Sequence, residues 1–154
     1  MEEPEVTPIL EKATRIRADL HSALIEAEDA IAAAAPGRFL EWVAGVQKSL
    51  VHLHDAFSDH IMYAEGPDGL YVEVLDREPR LRATVARIRA EHPTISGSIH
   101  IERDRLKAVL EGLEIPADDI RRDVTKILAR ITRHRQQGAD LIYEAYFVDL
   151  GGMD

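Results

Sequence analysis

The chain has 154 residues, 45% hydrophobic and 31% charged, which fits one domain with a real core. A formal net charge of −9 argues against a nucleic-acid or anionic-membrane partner, either of which favours a basic patch. The absence of cysteine excludes disulfides, thiolate catalysis and cysteinyl metal sites, and only 5% of the residues are aromatic, so the core must be mostly aliphatic.

The acidic start, MEEPEVTP, is unlike a signal peptide, and no apolar run approaches the ~18 residues of a membrane span. A cytoplasmic protein is expected, with residues 1–154 forming one domain and short tails at 1–7 and 148–154. From Pro8, Ile9, Ala13, Ile16, Leu20, Leu24, Ala27 and Ile31 recur at helical spacing until Pro36-Gly37. His21 lies at the edge of that stripe. A second helix is predicted from Phe39 through Trp42, Val46, Leu50 and Leu53 to Glu65, ended by Gly66-Pro67-Asp68-Gly69. Leu50, Leu53, Phe57, His60 and Ala64 share one face, so His60 sits in the apolar stripe. His52 and His54 fall off it and read as solvent or packing residues.

The segment LYVEVLD is too short to assign beyond a helical turn. Pro79 suits the first turn of a third helix reaching about Glu111, with Leu81, Val85, Ile88, His92, Ile95 and Ile99 on one face. Pro93 predicts a kink there, or two helices meeting. Gly112 stops this pattern, and Pro116-Ala117-Asp118-Asp119 starts a last helix running to about Tyr146. Its stripe is Ile120, Val124, Ile127, Ile131, His134, Gly138 and Leu141. Tyr143 and Tyr146 read as packing residues, although Tyr143 can reach a ligand at one end of the bundle. No segment shows the strict alternation of a strand. Four long amphipathic helices with short connections predict an all-α, antiparallel up-down four-helix bundle.

One histidine on an apolar face is more often a satisfied core residue than a ligand. Several, on separate helices, are more readily explained by a shared metal, because imidazole is a common ligand for iron and zinc and bundle cores hold such sites. His21 and His60 are 39 residues apart and His92 and His134 are 42 apart, as if each half were a helical hairpin with one inward histidine per helix. Glu65 follows His60 by five positions, about 140° of rotation, so a metal shared by the two needs a long reach. The arginine-rich stretches 77–89 and 121–135 read as solvated helix faces. No serine elbow or phosphate-cradling loop is present.

The segments LHSALIEAEDAI, LHDAFSDHIMYAEGPDGLY, PRLRATVARIRAEH and RHRQQGADLIYEAYFVDLGG give the chain a resemblance to hemerythrin-like (HHE cation-binding) proteins over about residues 10–150. The resemblance implies a four-helix bundle around a non-haem di-iron centre that binds or senses O2, nitric oxide or peroxide, or handles iron. By position it implies His21, His60, His92 and His134 as ligands, with Glu65 near the bridging carboxylate. The chain departs from the family pattern after His134, where Gly138 and Ala139 stand in place of a carboxylate, and at Ala64, four after His60. That departure favours a mononuclear iron or zinc site, or a gap at Gly138 beside which a small ligand or cofactor sits, with Tyr143 in reach. The alternative is a metal-free bundle serving as a binding or regulatory module. Whether the protein is an enzyme is left open, and a monomer or homodimer fits equally.

Overall fold

The computed structural model describes residues 7–148. The expected tails therefore fall almost entirely outside the described residues, which contain helices and no strand. Helix α1 spans Pro8–Ala32, α2 Phe39–Glu65, α3 Leu70–Arg77, α4 Arg82–Leu110 and α5 Ala117–Tyr146, with one 3-10 turn at Pro79–Leu81. None of these helices is long and apolar enough to cross a membrane.

Local chemistry sets the boundaries. The Thr7 hydroxyl accepts the Leu10 N–H at 3.2 Å, and Pro8 occupies the first turn, where its missing N–H is no loss. Gly37, at φ +78°, turns the chain between α1 and α2. Asp118 and Asp119 lie in the first turn of α5, where carboxylates favour the helix dipole. The LYVEVLD segment forms a full short helix, α3, because Leu70, Tyr71 and Val74 find apolar cover that the isolated sequence does not advertise.

Two helices do not meet at Pro93: α4 runs as one element through it. Proline frees the carbonyl four residues back, that of Arg89, and both residues are exposed, so water can take the orphaned bond.

Helix α1 packs on α2, α2 on α4, α4 on α5 and α5 back on α1. The core falls into two apolar clusters. One gathers Leu20, Leu50, Leu53, Phe57, Ile95 and Ile131; the other gathers Ala64, Leu70, Tyr71, Ile88 and Leu141. Full burial of each large aliphatic side chain contributes about 1.5–3 kcal/mol. The seam between the clusters carries the chemistry. His60 falls between Phe57 and Ala64 on α2, His92 between Ile88 and Ile95 on α4, and His134 between Ile131 and Leu141 on α5.

Candidate metal centre

Three imidazoles converge at this seam. His92 and His134 are each 1% exposed, and His60 is half-buried. The Nε2 of His134 lies 3.1 Å from the Nε2 of His60 and 3.1 Å from that of His92. One ligand atom from each ring lies within 4.8 Å of the others. The Phe57 ring sits against all three, with centroids 5.5, 5.9 and 5.7 Å from His60, His92 and His134.

The outward nitrogens of two rings are held by carboxylates. His92 Nδ1 donates to Glu65 Oε2 at 2.5 Å, and His134 Nδ1 donates to Glu91 Oε1 at 2.7 Å. Arg89 Nε forms an ion pair with the other oxygen of Glu65 at 2.8 Å, and the Gln137 amide, with its nitrogen turned inward, reaches both oxygens of Glu91 at 2.8 and 3.0 Å. Each carboxylate is thereby fixed from behind.

With its Nδ1 proton donated, a neutral imidazole has only a lone pair at Nε2. The Nε2 atoms of His92 and His134 thus face each other across 3.1 Å with no hydrogen between them. Protonating the cluster is not a ready remedy. Burial, with His134 and His92 alongside, pushes the His60 imidazole down to about 3. Burial also lowers His92, although Glu65 opposes it. Tyr71, buried and stacked on His92 with ring centroids 5.9 Å apart, brings its hydroxyl to 3.2 Å from His92 Nε2. Burial raises the Tyr71 phenol above its ordinary value, and Glu65 and Glu91 add to the shift, so it stays protonated and donates.

His60, His92 and His134 come together as their stripes predict. His21 does not join them. It is exposed, one step of 100° from the buried Leu20, and its Nδ1 accepts from Arg135 at 3.2 Å. The arrangement of one inward histidine per helix is therefore corrected to three. Glu65 stands beside the centre, but on the far nitrogen of His92, because five residues of helix carry it around from His60. Gly138 faces open space, where an added Cβ meets nothing within 4 Å. Tyr143 is 61% exposed and stacks on Phe147 with centroids 5.9 Å apart, on the outside of α5.

Two participants had no reading in the sequence. Glu91 reaches His134 across the gap between two helices, a contact with no local spacing rule. Tyr71 belongs to the segment too short to assign, and only its apolar neighbours Leu70 and Val74 hinted that it was buried.

No family model, no curated protein and no solved structure matches the chain.

Proposed function

We propose that the three-histidine cluster holds one transition-metal cation, iron or zinc, within a hemerythrin-like antiparallel bundle. The observation carrying this reading is the convergence of three imidazole Nε2 atoms, that of His134 lying 3.1 Å from both His60 and His92. Imidazole nitrogens sharing one zinc ion at about 2.0–2.1 Å stand roughly 3.3 Å apart, close to the spacing here. The carboxylates on the outer nitrogens complete the pattern. A ligating histidine commonly gives its other N–H to a carboxylate, which fixes the tautomer and raises the basicity of the ligating nitrogen.

His60, His92 and His134 would be the ligands, with Tyr71 next to them. A cation held by three protein nitrogens keeps a position open to a small exogenous ligand, which suits O2, nitric oxide or peroxide binding, sensing or iron handling. The chain's own parts have definite roles. Glu65 and Glu91 hold the rings in register, Phe57 covers the cluster against water, and the Tyr71 hydroxyl supplies a hydrogen-bond donor at the ligand side. Neither glutamate is turned to bridge two cations, so the geometry supports a mononuclear rather than a di-iron site.

Metal analysis of protein purified without chelator or affinity metal tests the reading. Iron or zinc is expected near stoichiometry, and His92→Ala is expected to lose it while keeping its helical spectrum. Wild-type protein that takes up neither cation on reconstitution would reject the proposal.

A further inference from the structure

A cleft of about 700 Å³ separates α1 from α5 and is distinct from the three-histidine cluster. Arg17, His21 and Arg135 line it together with the apolar Leu10, Ala13, Ile142 and Phe147, and the oppositely charged Glu11 and Arg15 also border it. On α1 these residues share a face, spaced 10, 13, 17 and 21, and a rise of 1.5 Å per residue makes that side about 16 Å long. Arg135 meets His21, so the cations gather at one end and Leu10 marks the other.

The cationic end lacks an anion. Neither Arg17 nor Arg135 forms an ion pair among the described residues, although the chain carries a net charge of −9. Arg17 bears on Arg135 as a like charge. Arg135 makes one polar contact, to a neutral imidazole nitrogen, and its Nε is buried without a partner. Leaving a buried charged donor unpaired is costly, and a carboxylate is the group that a guanidinium fork fits. His21, accepting at Nδ1, keeps Nε2–H as a further donor. On α5, Gly138 falls between Arg135 and Ile142 on the same face, and a Cβ there would meet nothing within 4 Å.

We propose that the α1–α5 cleft is a binding site for an amphipathic carboxylate, with its head on Arg17, His21 and Arg135 and its apolar body along Leu10, Ala13, Ile142 and Phe147. The cleft volume falls within the usual range for small-ligand sites, about 300–1,000 Å³. An inorganic anion would satisfy the arginines but leave Leu10, Ala13, Ile142 and Phe147 unused, so the lining favours a chain-bearing acid.

Calorimetric titration of the full-length protein with decanoate tests this. Saturable binding is expected, weakened about tenfold or more when decanol replaces decanoate and in the double variant Arg17→Gln, Arg135→Gln. Thr14→Trp, which fills the cleft from an exposed position and leaves both arginines in the chain, is expected to block binding in folded protein whatever becomes of the arginine variants. Phosphate or sulfate at a concentration equal to decanoate should compete only weakly, because neither fills the apolar part of the cleft. Chelator-treated protein should bind it as untreated protein does, so failure of the metal reading leaves this one standing. No saturable binding, equal affinity for decanol, or unchanged affinity in Thr14→Trp would each overturn it.

Discussion

At the cluster, single atoms decide which residues matter. Glu65 and Glu91 each accept an Nδ1–H, so replacing either by glutamine keeps the volume but weakens the acceptor and allows the amide to present N–H instead. The ring then loses its fixed tautomer while every ligating nitrogen remains. Loss of such a supporting carboxylate typically costs 10–100-fold in metal affinity. Glu91→Gln is therefore expected to weaken cation binding by about tenfold to a hundredfold in competition with a chelator, with little change in the metal-free melting temperature. Equal affinity in Glu91→Gln and wild type would mean that the contact only packs His134. The same logic separates Glu65 from a first ligand: its glutamine variant should weaken the site, whereas His134→Ala should abolish it.

Among the elements, α3 has the most leverage for its size, because it places Tyr71 against His92. It starts from Gly69, which is buried where a Cβ would stand 2.3 Å from the Tyr63 carbonyl oxygen and 2.9 Å from that of Gly66. Both neighbours are backbone, so neither can swing aside. Gly69→Ala is expected to shift the turn and lower stability by about 1–3 kcal/mol, as overpacking does, and to move Tyr71 off His92. Thermal melts and Tyr71 fluorescence in a background with the other tyrosines replaced by phenylalanine would read both effects; an unchanged melt would show that the turn is looser than drawn. This dependence also explains what was legible in the sequence. The four long helices announce themselves through 3.6-residue stripes, and His60, His92 and His134 fall directly on them. His21 was misplaced because one residue at a stripe edge is a 100° question, and a helical pattern blurs at that resolution. Glu91 and Tyr71 depend on which helix neighbours which, so nothing in their own segments could have named their partners. At Pro93 the choice between one helix and two turns on exposure of the freed carbonyl, which lets the helix continue and is a tertiary property.

Across the whole molecule, charge sets how many cations the bundle can accept. The centre offers three neutral imidazoles and two flanking carboxylates, Glu65 and Glu91, whose combined charge matches one divalent ion. Arg89 already draws on Glu65, and Arg17 and Arg135 bear on His60 from the other side, so the surroundings are if anything short of negative charge. Two adjacent divalent cations would need bridging carboxylates, yet Gly138 and Ala64 occupy the positions four beyond His134 and His60, and Ala64 is fully buried in the apolar core. One equivalent per chain is therefore expected in reconstitution with iron or zinc, not two. The seam between the two core clusters is where that ion would cross-link α2, α4 and α5, so its binding should appear as global stability. A ligand at a hundred times its dissociation constant adds about 2.7 kcal/mol, and in a domain of this size each kcal/mol raises the melting temperature by roughly 2–4 °C. Titration should thus raise the melting temperature by about 5–10 °C, and a chelator should reverse the gain. Two tightly bound equivalents would contradict the charge argument. One equivalent with no change in melting would put the ion on the surface, away from the three histidines.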